Sequence, residues 1–213
     1  MPDFVKLLSD EVNPTWLWEN QGAAVVARLS TGCCLLQAPA GTGDNLRVRK
    51  KAAPVRYRID AKLRVLLGGD LNFAGLCWRE SGTRRLVVVG MYLSGVAPGG
   101  FLGISVDKYT RPDLFSANAA AMGNSSLGPS FHMRLEDDGV NRRAYFSVDG
   151  GLRLNSLGVV DLWLDQSNWE RIYSEDRTTF MTADEVGVFA CAYNATYPCG
   201  VLVESWIERE YPG

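Results

Sequence analysis

The chain has 213 residues, of which 46% are hydrophobic and 22% are charged, so it can bury a core and is not a disordered chain. Its 22 Lys and Arg residues oppose 24 Asp and Glu residues, and the net charge of -2 excludes nucleic-acid binding through a strongly basic surface. No run approaches the ~18 consecutive apolar residues that cross a bilayer, so membrane insertion is not expected.

Alternation of apolar and polar residues with period two begins near residue 14. Residues 1–13 precede it and are predicted to form an N-terminal arm, whereas residues 14–213 are predicted to form one domain. The apolar runs Val25–Leu29 and Cys33–Gln37 flank a Ser-Thr-Gly turn and predict a hairpin. The clearest predicted strand alternates over its whole length and has an apolar face formed by Val55, Tyr57, Ile59, Ala61, Leu63 and Val65.

The one basic cluster of the chain lies just before that strand, at Arg47–Lys51. The residues from Leu46 to Arg49 alternate between apolar and charged, as in a half-buried strand. Because charge runs are most often solvated, the cluster is predicted to be a solvent-facing strand end.

Strand patterns spaced about ten residues apart continue through the chain. The segment from Arg111 to Pro129 is rich in Ser, Asn, Gly and Ala and is predicted to be a long loop with one short strand at Leu114–Phe115. Thr182–Glu185 is the one helix candidate, a single turn with Thr as its cap. About 12 to 14 strands separated by turns predict an all-β sandwich or barrel.

The five cysteines allow a disulfide but favour buried free thiols. Cys191 and Cys199 lie symmetrically about Ala195 in a predicted hairpin, where they either face each other as a pair or remain apart as small hydrophobic side chains. There is no Cys-x-x-Cys pair, and the single histidine, His132, has no metal-binding partner at a typical spacing. The sequence therefore predicts neither a metal site nor a cofactor.

Seven phrases have an informative order and spacing: Trp18–Ala24, Leu35–Pro39, Asn45–Pro54, Phe73–Thr83, Leu135–Arg142, Tyr145–Gly150 and Arg177–Gly187. Together they resemble the concanavalin-A-like lectin/glucanase domains of bacteriophage virion proteins, particularly tail fibres. The resemblance spans nearly the whole chain. It implies a two-sheet antiparallel jelly-roll sandwich with a concave and a convex sheet, carried on a virus particle, and it implies no particular ligand.

One departure from that family pattern is an apolar segment, Gly151–Ser167, which separates Asp149-Gly150 from Asn168-Trp169. Such a segment is predicted either to pack on a neighbouring molecule or to extend its own sheet. In the first case its apolar side chains are expected to form an oligomer contact, made by Leu157, Val159, Leu162 and Trp163.

The carboxylate pattern of the glucanase relatives, Glu-x-Asp-x-x-Glu, is absent from the sequence. The best alternative row places Glu204, Trp206, Glu208 and Glu210 on one face of the last strand, where a solvent-facing edge is favoured over a catalytic site. A Gly-x-Ser-x-Gly nucleophile elbow is also absent. The chain is therefore predicted not to be an enzyme.

A glycan-binding groove is the main site hypothesis, because aromatic faces stack on sugar rings while nearby polar groups bind the hydroxyls. If the relevant strands are neighbours in the concave sheet, the groove is lined by His132, Arg134, Tyr145, Tyr193 and Trp206. The alternative for each aromatic residue, and above all for Trp206, is a place in the buried core.

These observations favour a bacteriophage virion surface protein that decorates the particle or belongs to its tail or fibre apparatus. Its expected partners are other virion proteins, further copies of itself and host-surface carbohydrate, and neither nucleic acid nor a membrane. The start of the chain, Met1 to Phe4, lacks the basic and apolar runs of a secretory signal, so assembly in the host cytoplasm is expected. Two alternatives stay open: a purely structural oligomerisation module, and a glycan-cleaving hydrolase with a non-standard site at Glu204 or Glu208.

Overall fold

In the part of the chain that the computed structural model describes, every regular element is a β strand. The structure describes residues 15–29, 32–41, 43–95, 100–123, 128–148, 153–154, 160–161, 169–193 and 196–211. Within these ranges no helix is long and apolar enough to cross a membrane. The strands in chain order are β1 (Leu17–Glu19), β2 (Val25–Arg28), β3 (Cys34–Ala38), β4 (Arg47–Ala52), β5 (Tyr57–Leu67), β6 (Phe73–Arg79), β7 (Leu86–Ser94), β8 (Phe101–Arg111), β9 (Leu114–Gly123), β10 (Ser130–Asp137), β11 (Asn141–Ser147), β12 (Arg153–Leu154), β13 (Val160–Asp161), β14 (Glu170–Asp176), β15 (Glu185–Cys191) and β16 (Cys199–Glu210).

The strands form two seven-stranded antiparallel sheets that pack face to face. The first sheet has the order β1-β4-β15-β6-β7-β8-β9, and the second has the order β14-β11-β10-β5-β16-β3-β2. In the first sheet β15 lies between β4 and β6, and in the second sheet β16 lies between β5 and β3. Each sheet thus contains a strand from the end of the chain between two earlier strands. This arrangement confirms the predicted all-β jelly-roll sandwich.

Strand β5 shows how the sequence pattern determines the packing. Tyr57, Ile59, Ala61, Leu63 and Val65 are all buried between the sheets, as their alternation predicts. Burial of each larger apolar side chain contributes about 1.5–3 kcal/mol. Val55 was expected on the same face, but it precedes the strand and is 74% exposed.

The main core lies between the inner faces of the two sheets. Its aromatic members include Trp16 and Trp206, whose rings meet edge to face with centroids 5.2 Å apart. Such aromatic pairs add about 0.5–1.5 kcal/mol to the burial of their apolar area. A second apolar cluster lies on the opposite, outer face of the first sheet and contains Leu46, Val48, Phe73, Cys77, Leu86, Val88, Tyr109, Phe189 and Cys191.

The basic cluster Arg47–Lys51 is not a solvent-facing strand end. It forms most of β4, where Arg49 and Lys50 are buried. Lys50 pairs with Glu185 at 2.6 Å, and Lys51 pairs at 2.6 Å with Glu208 of the second sheet. The prediction was wrong because acidic partners that are distant in sequence neutralise these charges inside the fold.

Two further local predictions are corrected. The expected loop from Arg111 to Pro129 contains β9, a ten-residue strand that pairs with β8 despite its many Ala residues. The expected helical turn Thr182–Glu185 does not form, and residues 182–184 are instead an irregular approach to β15. The carboxylate of Asp184 accepts a hydrogen bond from the Ser81 amide at 2.8 Å and so holds this approach against the β6–β7 turn.

Cys191 and Cys199 do not face each other across a hairpin, because β15 and β16 belong to different sheets. None of the five cysteines, all of which lie in the described part of the chain, forms a disulfide. Cys191 belongs to the apolar cluster on the outer face of the first sheet, whereas Cys199 lies in the main core. Burial raises the pKa of Cys191 to about 11 and keeps the thiol neutral.

The apolar segment Gly151–Ser167 is described only at β12 and β13, which pair with each other. The expected oligomer contact, Leu157, Val159, Leu162 and Trp163, lies outside the described residues, as does the arm at residues 1–13. Both stay predictions.

Candidate functional site

The outer face of the first sheet is strongly curved. The amide of Leu46, just before β4, donates a hydrogen bond to the carbonyl of Pro112 in the β8–β9 turn, at 2.8 Å. Three strands separate β4 from β8 in the sheet. In a flat sheet the two would lie about 19 Å apart, because neighbouring strands are about 4.8 Å apart. The sheet therefore rolls around this face, which is concave.

Glycines on the concave face permit this curvature. A Cβ on Gly90 of β7 would lie 2.3 Å from the carbonyl oxygen of Ala74, and a Cβ on Gly75 of β6 would lie 2.2 Å from that of Val89. A real Cβ does not approach a backbone oxygen so closely, so β6 and β7 meet at a distance that only glycine allows. The curvature in turn brings side chains from β6, β7, β8, β9 and β15, and from the segment before β4, around one space.

That space is a pocket of about 380 Å³ on the concave face, within the range typical of small-ligand sites. Five aromatic rings form much of its wall, and the polar groups come mainly from β8 and β9. The pocket is lined by Asp44, Leu71, Phe73, Tyr92, Ser105, Asp107, Tyr109, Phe115, Asn118, Ala121, Cys191 and Tyr193.

Strand β8 supplies the polar floor of the pocket through alternate residues. Ser105, Asp107 and Tyr109 share one face because side chains two residues apart lie on the same side of a strand. The Ser105 hydroxyl and the Asn118 amide of β9 each donate a hydrogen bond of 2.7 Å to Asp107 Oδ1. Asn118 also donates to Ser105 Oγ at 2.8 Å, so the three side chains hold one another in place.

A second carboxyl group, that of Asp44, reaches the pocket from the segment before β4. Tyr109 OH donates a hydrogen bond to it at 3.3 Å. Burial raises the pKa of Asp44 above its usual range, against the weaker lowering effect of the Tyr109 hydrogen bond. Burial also raises the pKa of Asp107, and the nearby charge of Asp44 adds to that rise. Two carboxyl groups thus share a largely apolar site in which ionisation is costly.

The aromatic wall depends on one further glycine. Tyr92 of β7 pairs with Gly103 of β8, and a Cβ on Gly103 would lie 2.6 Å from two ring carbons of Tyr92 and 2.7 Å from its hydroxyl oxygen. The ring therefore lies across Gly103. Phe115 meets Tyr109 edge to face with centroids 5.6 Å apart, and Phe115 is 41% exposed to solvent.

The structure separates the five residues predicted to line a groove. Only Tyr193 lines the concave pocket. Trp206 belongs to the main core and is 8% exposed, so the core alternative holds for this residue. His132, Arg134 and Tyr145 lie on the outer face of the second sheet, where Arg134 pairs with Tyr145 across β10 and β11. The five residues do not line one groove, because the contributing strands belong to different sheets and different faces.

The outer face of the second sheet is dominated by ion pairs. Arg134 is buried there, with its guanidinium 4.1 Å from the ring centroid of Trp169 and its Nε 2.5 Å from Asp60. Burial raises the pKa of Glu136, which is hydrogen-bonded to Tyr145. These side chains are bound to one another across β5, β10 and β11.

The carboxylate row of the last strand does not form. Glu204 has no partner on β5, because a bulge in β16 lies between Val203 and Ser205. Glu204 turns to the outer face and pairs with Lys62 at 2.7 Å, and Lys62 and Arg64 lower its pKa. Glu208 accepts from the Trp206 indole at 2.7 Å and from Lys51 across the sandwich. The two glutamates thus lie on opposite faces and do not act together.

Sequence reasoning missed most of the pocket. A signal for Ser105, Asp107 and Tyr109 was present, since these polar side chains alternate with apolar ones along a predicted strand. Phe115 and Asn118 were hidden within the segment interpreted as a loop. Among the residues that the structure describes, no group of three or more His, Cys, Asp or Glu side chains is placed to hold a metal ion.

The sequence matches no family model and no curated protein. Solved structures do match the fold. One is the GH43 BlXynB protein from Bacillus licheniformis, with a TM-score of 0.64 and 13% identity over 97% of this chain and 39% of that chain. Another is a functionally unknown protein from Saccharomyces cerevisiae, with a TM-score of 0.61 and 14% identity over 93% and 98% of the two chains. A legume lectin-like domain from Entamoeba histolytica has a TM-score of 0.54 and 10% identity over 96% of both chains.

The chain thus spans about two fifths of the length of the GH43 protein and nearly all of the other two. At such low identity these likenesses show the fold alone, a lectin-like β sandwich that also occurs in GH43 glycoside hydrolase chains. They correct the prediction that the chain is not an enzyme, because several matching structures are GH43 glycoside hydrolases and hydrolase activity becomes a function to test. None of the reported likenesses points to bacteriophage tail fibres.

Proposed function

We propose that the chain is a carbohydrate-binding domain whose site is the concave pocket of the first sheet. The observation that carries the proposal is the composition of the pocket wall, in which aromatic rings surround a hydrogen-bonded Asp107, Ser105 and Asn118. Aromatic faces accept the apolar face of a sugar ring, and carboxylate, hydroxyl and amide groups pair with its hydroxyls. The lectin-like fold supports the same proposal by analogy.

The test is calorimetric titration of the chain with xylo-oligosaccharides and chito-oligosaccharides, using Phe115→Ala and the matched control Leu114→Ala. Leu114 is the adjacent residue on β9, 50% exposed, and does not line the pocket. Removing the Phe115 ring is expected to weaken binding by about tenfold, in line with the contribution of one aromatic contact. Equal affinities of the two variants, or no binding by the wild-type chain, would contradict the proposal.

Glycoside hydrolysis in the same pocket is a second candidate function. The observation that favours it is the pair of carboxyl groups with raised pKa, Asp107 and Asp44, in a fold shared with GH43 hydrolases. In glycosidases one carboxylic acid protonates the leaving oxygen, while the second carboxylate activates water or attacks the sugar. Asp107, the more buried of the two, suits the acid role.

Release of reducing ends from xylo-oligosaccharides tests this second function. Asp107→Asn is expected to lower the rate by at least about 100-fold, the usual contribution of a general acid. Asp113→Asn is the control, because Asp113 lies in the β8–β9 turn, is paired with Arg111 and does not line the pocket. Binding without product release by the wild-type chain would rule out hydrolysis and leave the binding role.

The setting that we propose is the surface of a bacteriophage particle assembled in the host cytoplasm, with other virion proteins and further copies of the chain as partners. This setting is supported by the seven sequence phrases alone. Mass spectrometry of purified virions should find the chain in a fixed ratio to the major capsid protein. Recovery of the chain only in the soluble lysate fraction would contradict the proposed setting but would not contradict the proposed carbohydrate binding.

A further inference from the structure

We propose that the concave pocket selects sugars that carry a positive charge, such as the free amino group of an unacetylated amino sugar. The proposal rests on the proposed carbohydrate-binding function and adds the charge of the ligand to it. It follows from three features of the pocket: the sign of its charges, the absence of competing cations among its described lining residues, and its aromatic wall.

The described lining of the pocket offers acidic side chains and no basic ones. Asp44 and Asp107 are its ionisable acids, and none of the described residues that line it is Lys or Arg. The lining thiol, Cys191, is neutral at physiological pH because its pKa is about 11. The stretches next to Asp44, Ala121 and Tyr193 that lie outside the described residues (42, 124–127 and 194–195) contain no Lys or Arg in the sequence.

Three basic side chains of β4 and β6, strands of the same sheet as the pocket, are committed to other partners. On the concave face Lys50 pairs with Glu185 at 2.6 Å, and Arg79 pairs with Glu19 at 3.0 Å. Arg47 donates to the backbone carbonyl of Asn20 at 2.9 Å. None of the three lines the pocket, so Asp44 and Asp107 are not neutralised by the fold in the way that other buried acids of this chain are.

The aromatic wall favours the same ligand charge. The face of an aromatic ring is negative, and a cation over it gains about 0.5 to 2 kcal/mol, the larger values where water is excluded. The pocket is walled by Phe73, Tyr92, Tyr109, Phe115 and Tyr193. Rings combined with carboxylates are the composition by which proteins hold amines and quaternary ammonium groups.

A neutral sugar would bind here at a disadvantage. Covering Asp107 with an uncharged ligand removes its remaining water and leaves a buried carboxylate with only the Ser105 and Asn118 hydrogen bonds to stabilise it. An ammonium group replaces that water with an opposite charge and forms a charge-assisted hydrogen bond. The difference between the two ligands is therefore expected to be at least about tenfold in affinity.

The experiment compares a glucosamine tetramer, an N-acetylglucosamine tetramer, a xylose tetramer and choline by calorimetry at neutral pH and two salt concentrations. The wild-type chain is expected to bind the glucosamine tetramer at least about tenfold more tightly than either neutral tetramer, and more weakly at high salt. Asp107→Asn should remove this preference, whereas Asp113→Asn should keep it. Thermal melting of each variant verifies that it is folded.

The outcomes separate the two proposals. Equal or tighter binding of the neutral tetramers by the wild-type chain would overturn the charge selectivity and leave carbohydrate binding intact. A preference for the glucosamine tetramer that persists in Asp107→Asn would overturn it as well. Binding of choline without binding of any tetramer would overturn carbohydrate binding and support a cation site. Failure of the folded chain to bind any of the four probes would overturn both.

Discussion

Asp107 illustrates how a side chain can favour function at a cost in stability. Its carboxyl is largely buried on the concave face, and burial rather than a neighbouring charge is the main cause of its raised pKa. Its hydrogen bonds come from two neutral donors, Ser105 and Asn118. Residues that bind ligands or catalyse reactions often lower the stability of the folded protein in this way, and replacing them commonly makes the protein more stable.

Replacement of Asp107 by Asn is therefore expected to raise the free energy of unfolding by about 0.5–2 kcal/mol at neutral pH. The pKa of Asp107 is higher in the folded chain than in the unfolded chain, so ionisation destabilises the fold and protonation relieves the cost. The gain in the variant should shrink as the pH falls through that raised pKa, where the wild-type carboxyl becomes neutral.

Urea unfolding of both chains between neutral and acidic pH measures this difference. The other acid that faces Asp107 is Asp44, which is present in both chains, while Tyr109 and the Cys191 thiol stay protonated over this range. A variant that is less stable than the wild type at neutral pH would show that the Asp107 hydrogen bonds outweigh the cost of its burial.

In strand β16 the alternation of residue types does not predict which face of the sheet each side chain occupies. Alternation from Glu204 to Glu210 places Glu204 and Trp206 on one face, yet the structure places them on opposite faces. The cause is the bulge at Glu204, an extra residue that β5 does not pair. A bulge leaves no clear trace in a period-two pattern, whereas β5, which has no bulge opposite β10, was predicted correctly.

The bulge predicts an unusual tolerance to deletion. Without Glu204 the residues Val203, Ser205 and Trp206 keep their faces, and the loss is limited to exposed ion pairs worth about 0–1 kcal/mol each. Without Leu202, Val203 would turn outward and Glu204 would turn into the core. We expect the first deletion to cost about 1–2 kcal/mol and the second at least about 3 kcal/mol.

Guanidinium denaturation of the two deletion variants provides the measurement, with circular dichroism to establish that each keeps its β structure. Similar costs for the two deletions would show that the register of β16 is not set by the alternation of its inner face. A larger cost for the loss of Glu204 would show that the bulge itself is required for the twist of the second sheet.

At the scale of the molecule, the sequence predicted the sandwich but not the shape of its site. Alternation determines which side chains a strand buries, and the inner face of β5 followed from it. The curvature of the first sheet depends on contacts between residues as distant as Leu46 and Pro112 and on close approach at Gly75 and Gly90. Because no local pattern encodes these contacts, the pocket that they create was not predicted.

A buried network of ion pairs around Glu175 also joins the two sheets, on the opposite side of the first sheet from the pocket. Arg142 of β11 is 0% exposed and donates to the Met181 carbonyl at 3.0 Å and to Glu175 of β14 at 3.3 Å. Glu175 also pairs with Lys108 of the first sheet and accepts a hydrogen bond from Tyr173 at 2.6 Å. Glu175 therefore keeps a cation and a hydrogen-bond donor if Arg142 is removed.

This arrangement separates the effect of volume from the effect of charge at Arg142. Arg142→Ala is expected to lower the free energy of unfolding by about 3–5 kcal/mol, because it leaves a cavity and removes one partner of a buried acid. Arg142→Met refills most of the volume and, with Lys108 still paired to Glu175, should cost no more than about 2 kcal/mol. Chemical denaturation gives both values, and unchanged sugar affinity in Arg142→Met would show that the pocket is independent of this pair. Equal losses in the two variants would mean that the charge of Arg142, and not its bulk, holds the sheets together at this end of the sandwich.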